Sequence, residues 1–137
     1  MRLANFEQDY WELRNGEDCH KENPDKFWIP KLQDRQSLKI GDAAKLIFDI
    51  ECEDEGKIII QGERIFVIVS EIVGNKYVGI LDSQPACIDK DQENVYLGFG
   101  VEIPFSHEHI IDIDRPPDDY IEWQLGQPPE RKWPRNT

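Results

Sequence analysis

Apolar positions in this chain cluster into short β-branched and aromatic runs bounded by glycine, asparagine and proline, a pattern that predicts strands through its middle. Ile65, Phe66, Val67, Ile68 and Val69 form an unbroken run, too short for a convincing helix and suited to a buried strand. The chain stays extended through Ile72 and Val73, reverses at Gly74 and Asn75, and returns as Tyr77, Val78, Gly79, Ile80 and Leu81. Residues 62–81 therefore read as a β-hairpin with a two-residue turn that needs positive φ. Upstream, Leu46, Phe48 and Ile50 alternate with Lys45, Ile47 and Asp49, the period of a half-buried strand over 44–51. The acidic stretch from Glu51 to Glu55 reads as a loop ended by Gly56, and 57–60 adds a short strand. A further strand is predicted over 100–105, with Val101, Ile103 and Phe105 on one face. Pro104 places it at an edge or at the end of its ladder.

The flanks are less regular. Asn5 is positioned to cap a short helix over 6–14, with Gln8 completing a capping box and Asn15-Gly16 supplying the stop. Phe6, Tyr10 and Leu13 would share its apolar face. Residues 17–26 read as a polar loop, Phe27, Trp28 and Ile29 as an apolar clamp across the core, and 31–37 as one helical turn. Residues 82–85 have turn chemistry and 89–94 form a charged surface loop. Ser106 starts a turn through His107 and His109, after which Ile110, Ile111 and Ile113 pack. From 114 onward Pro116-Pro117, Pro128-Pro129 and Pro134 break the chain into extended pieces. The aromatic residues of this tail, Tyr120, Trp123 and Trp133, predict that part of it wraps back onto the domain, with the last few residues mobile. The fold class is α+β, mainly β: a β-rich domain over 1–113, with a helical segment at 5–15 and a core at about 38–113, then an extension over 114–137.

Charge narrows the partners. The 137 residues include 28 acidic and 16 basic side chains, for a net charge of −12. Such a surface repels phosphate backbones and anionic membranes, and it favours a basic protein partner, chiefly through the association rate. Three widely spaced cysteines without a C-x-x-C pair read as reduced thiols of a cytoplasmic protein, with Cys87 buried and structural. The first residues lack an apolar core of signal-peptide length, and no stretch approaches the roughly 20 apolar residues that cross a bilayer.

Candidate chemistry is sparse. His107 and His109, two apart, would share one face of a strand and, with Asp112 as a third ligand, make the best metal candidate. The acidic residues from Glu51 to Glu55 lack the spacing that wraps calcium. There is no G-x-S-x-G elbow, and Gly98-Phe99-Gly100 lacks the third glycine of a phosphate loop. Phe66, Tyr77 and Phe99 lack interleaved Lys and Arg and read as core rather than as a base-stacking surface.

FWIP at 27–30, LKIGDAAKLIF at 38–48, GERIFVIVSEI at 62–72, YVGILDSQP at 77–85 and PFSHEHI at 104–110 together resemble an uncharacterised bacterial family, the one catalogued as domain of unknown function 2314. The resemblance implies a small, strongly bent antiparallel sheet or SH3-like barrel and brings no catalytic residue. The expected function is a non-catalytic protein-binding or regulatory module, of which an immunity-type role is one form. It would need no cofactor and would engage a basic protein through Glu53, Asp54 and Glu55. The alternative is a metal-dependent enzyme or small-molecule binder centred on His107, His109 and Asp112.

Overall fold

A computed structural model describes residues 1–89 and 95–136. Of the loop expected at 89–94, only Asp89 falls among them. The strands are β1 (Trp11–Leu13), β2 (Ala43–Asp54), β3 (Lys57–Val73), β4 (Lys76–Leu81), β5 (Glu102–Ser106) and β6 (Asp112–Asp114). They form one antiparallel sheet in the order β1-β2-β3-β4-β5, with β6 also paired to β2, curled into a half-barrel. Of the two forms expected, the strongly bent sheet is the one seen. The class is α+β, mainly β. The short helices are α1 (Phe6–Asp9), α2 (Gly16–Glu22), α3 (Leu32–Arg35) and α4 (Asp118–Leu125).

The central hairpin forms as its pattern predicts. Val73 pairs with Lys76 across Gly74 and Asn75, and positive φ is confined to Gly74, at +60°. The register slips between Val69 and Glu71, leaving Ser70 as a bulge whose hydroxyl donates to the Val78 carbonyl. The concave face carries Leu46, Phe48, Val67 and Phe105, all fully buried, with Trp11 and Trp133 closing over them. Phe48 and Val67 sit on this face because both occupy its period-2 positions. Burying such side chains supplies about 1.5–3 kcal/mol each.

β2 and β3 are longer than their patterns predict. Glu51 to Asp54 belong to β2, and the reversal is the pair Glu55-Gly56, with φ of +50° and +79°. The expected acidic loop is therefore the end of a strand and a tight turn. The separate strand at 57–60 is the start of the 17-residue β3.

The N-terminal helix is shorter than expected. Asn5 caps it, accepting from the Gln8 backbone N–H at 2.9 Å, but the reciprocal bond comes from Asp9, whose carboxylate accepts from the Asn5 N–H. Tyr10 turns left-handed at φ +66° and ends the helix. Trp11 to Leu13 then pair with β2 from Ile50 to Phe48. Here the exposed edge of β2 and the burial of Trp11 against Phe48, with ring centroids 5.7 Å apart, outweigh helical periodicity. Asn15 is an N-cap, not a stop: it accepts from the Asp18 N–H and opens α2 where a loop was expected.

Three further expectations are corrected. Trp28 is exposed and Phe27 only half-buried beneath the Arg64 guanidinium, so this segment is no clamp across the core. Phe99 is exposed, not core. Residues 118–125 are helical where extended chain was expected, because Pro116-Pro117 stands before the helix, where a missing N–H costs nothing.

The C-terminal segment does wrap the domain. Trp133 is buried, its indole N–H donates to the Arg2 carbonyl at 3.0 Å, and its backbone N–H donates to Glu102. Arg135 holds Glu102 through both guanidinium nitrogens and reaches Glu71 at 2.8 Å, so contacts with the domain extend as far as Arg135. On the other side of the sheet Asp82 accepts from the Tyr120 hydroxyl and from Gln124, docking α4.

Candidate functional site

Beyond Ile50 no β1 residue pairs with β2, and β4 pairs with β3 only from Val67 onward. Between those limits β2 and β3 continue as a two-stranded arm, closed by the Glu55-Gly56 turn. Glu53, Asp54 and Glu55 come together at its exposed tip, with Lys57 opposite Asp54. Along the convex face Glu51 pairs with Ile60 and Glu53 with Ile58. Ile58 is 70 % and Ile60 54 % exposed. The arm thus presents an apolar strip edged by carboxylates. The acidic residues were expected here. The isoleucines were not, although three consecutive isoleucines beside an acidic turn, in a strand with only one neighbour, are a readable signal.

The root of the arm is covalently tied. Cys52 of β2 and Cys87 form a disulfide spanning 35 residues, and Cys19 is free. This overturns the reading of three reduced thiols and removes the argument drawn from them to a cytoplasmic location. The Glu63 carboxylate fixes the same loop by accepting from the Ala86 and Cys87 N–H groups at 2.7 and 3.1 Å.

The histidine candidates lie on a turn and not on a strand as expected. His107 and His109 lie in a 3-10 turn over His107–His109, not on a strand, so their side chains do not share a strand face. His109 is buried, and its Nδ1 accepts from the Ser106 N–H at 3.0 Å. Burial holds its pKa below the usual histidine value, against the opposing pull of the Glu108 carboxylate. His107 lines a cavity of about 340 Å³ with Leu38, Tyr77 and the Gly74-Asn75 turn. Asp112 instead begins β6, opposite Lys45. Among the described residues no group of three His, Cys, Asp or Glu side chains is gathered as metal ligands would be.

The polar network around this turn has structural work to do. Arg35, buried, donates to the Pro30 carbonyl, the Glu17 carboxylate and the His107 carbonyl, stapling α2 and α3 to the turn. The Tyr77 hydroxyl donates to the Arg35 carbonyl and accepts from the Leu38 N–H. These groups are mutually satisfied, which is how a fold accommodates polar groups in its interior.

No helix among the described residues is long and apolar enough to cross a membrane. No family model, no curated protein and no solved structure matches the chain, so the family resemblance rests on the sequence motifs that suggested it.

Proposed function

We propose that the protein is a binding module that engages a basic protein through the β2–β3 arm. The observation that carries this reading is the pair Ile58 and Ile60, exposed on a two-stranded ribbon and faced by Glu53 and Glu51. Apolar side chains held this openly favour burial by a partner, and the carboxylates beside them select one with complementary charge. The tip residues Glu53, Asp54 and Glu55 act at longer range, steering approach over the roughly 8–10 Å that salt leaves unscreened. Recognition in this form needs no catalytic group.

A photo-crosslinking residue at position 60, used in the native cell, identifies what contacts the arm, and surface-binding kinetics then test the mechanism. Glu53→Gln with Asp54→Asn and Glu55→Gln should slow association several-fold at low salt while leaving dissociation nearly unchanged. Ile58→Ser with Ile60→Ser should act on dissociation instead. Wild-type kinetics for both variants, each shown to be folded, would overturn the proposal.

A further inference from the structure

The convex face of the sheet carries a cationic and aromatic patch, in contrast to the acidic chain as a whole. Lys45 pairs with Phe66 and Ile47 with Arg64 across β2 and β3, so Lys45 and Arg64 are diagonal neighbours. Strand alternation turns both away from the concave core that contains Leu46 and Val67. Each cation lies over a ring: the Lys45 ammonium is 5.4 Å from the Phe66 centroid, and the Arg64 guanidinium 5.5 Å from that of Phe27. Lys26, Trp28 and Ile111 join Lys45, Arg64 and Phe27 in lining a hollow of about 170 Å³.

Among the described residues the side chains of Lys26, Lys45 and Arg64 have no ion pair or hydrogen bond. That is unexpected in a chain with 28 acidic and 16 basic side chains, where Arg2, Arg14, Arg35, Arg115 and Arg135 each hold a carboxylate. Asp112, the carboxylate in the hollow's lining, stands opposite Lys45 without pairing to it, and one of its oxygens accepts from the Ile113 N–H at 2.9 Å. Like charges gathered without a counter-charge repel one another, and an anion from solution relieves that repulsion. A second hollow, of about 340 Å³, adjoins the first and shares Trp28 and Asp112 with it. The rest of its lining is Ile29, Pro30 and Ile113, with Lys31 and Asp34 of opposite charge. Trp28 is 68 % exposed, so its indole is open to a ligand.

We propose that the two hollows together bind a nucleoside monophosphate. The phosphate lies among Lys26, Lys45 and Arg64, where three cations suit a dianion and the guanidinium fork offers paired donors. The base stacks on Trp28 in the larger, more apolar hollow. Asp112 borders both hollows and accepts from the ribose hydroxyls that lie between base and phosphate. A nucleic-acid strand is disfavoured by the net charge of −12, whereas a single phosphate responds chiefly to charges within roughly 8–10 Å. Lys45 and Arg64 reach their rings across the fold and not along the chain, so the sequence shows no interleaving of basic and aromatic residues. The site goes beyond the protein-binding reading and does not require the arm to have a protein partner.

The test is a titration of the full chain at low salt, followed by the ¹H–¹⁵N signal of the Trp28 indole, which is identified by its loss in Trp28→Phe. The probes are AMP, adenosine without the phosphate, inorganic phosphate without the ring, and 2′,3′-dideoxy-AMP without the ribose hydroxyls. AMP should shift the Trp28 signal saturably with a Kd on the order of a millimolar. Adenosine and inorganic phosphate should each bind about tenfold more weakly, and the dideoxy compound about threefold. Lys45→Gln with Arg64→Gln should bring AMP down to the level of adenosine and leave adenosine unchanged. Trp28→Ala, read on the Lys45 and Arg64 amides, should bring AMP down to the level of phosphate. Asp112→Ala should erase the difference between AMP and the dideoxy compound. A Trp28 signal unmoved by AMP, AMP binding no tighter than any of the other probes, or a folded Lys45 and Arg64 variant that binds AMP as wild type does overturns the proposal. Should the variants not fold, the four-probe comparison on the wild-type chain decides alone.

Discussion

His109 ties a single side chain to the pH dependence of the fold. It is buried and accepts a hydrogen bond from the Ser106 N–H through the nitrogen that protonation would block. Burial, reinforced by His107, lowers its pKa, while Glu108 and Glu17 pull the other way. In the unfolded chain a histidine titrates near 6.5, so between that value and the lower folded one the unfolded state binds more protons. The contribution is therefore complete above about pH 6.5 and is lost as pH falls, at no more than about 1.4 kcal/mol per pH unit. His109→Asn keeps an acceptor for Ser106 and removes the titration. Its thermal midpoint should fall less than that of wild type between pH 7 and pH 5, and parallel curves would show that His109 is not the titrating group. The residue was singled out from the sequence as a metal ligand. What periodicity could not reveal is that its ring is turned inward to cap its own backbone.

At the scale of elements, helices and tail owe their places to side chains far away in sequence. α4 is held by Asp82, which accepts from both Tyr120 and Gln124. The Tyr120 hydroxyl is pushed up to about 12 by burial, by its hydrogen bond to Asp82 and by that carboxylate's charge. Asp82→Asn removes the charge that opposes a phenolate. Tyr120 should then ionise at lower pH, seen as an earlier rise in ultraviolet tyrosinate absorbance, and hydrogen exchange across Asp118–Leu125 should quicken. An unchanged titration and unchanged exchange would mean that α4 is docked by other contacts, such as buried Ile121. The hairpin was legible because its instructions are local: β-branched runs and a Gly-Asn turn act within a few residues. α4 and β1 were misread because theirs are not, since Asp82 and the edge of β2 are 30 or more residues away.

For the molecule as a whole, the disulfide at the root of the arm bears on stability. Linking Cys52 to Cys87 closes a 35-residue separation, worth about 3–4 kcal/mol on chain-entropy grounds. Cys52→Ser with Cys87→Ser, or reductant added to wild type, should lower the melting temperature by several degrees or more. Identical melts with and without reductant would show that the bond contributes nothing in solution. The amino-acid sequence by itself determined the β-rich class, the central hairpin, the burial of Phe48 and Val67, the acidic character of the arm tip and the return of Trp133 to the domain. Each of these follows from short-range periodicity, turn chemistry or the cost of leaving large apolar side chains in water. Only the tertiary structure decided that Cys52 meets Cys87, that Glu51 and Glu53 face Ile60 and Ile58, and that the histidines part company with Asp112. It also decided that, among the described residues, the Trp11 indole is left without an acceptor. Those outcomes depend on register and on how the sheet curls, because a pairing between distant residues is fixed by the sum of the core's contacts and not by either residue alone.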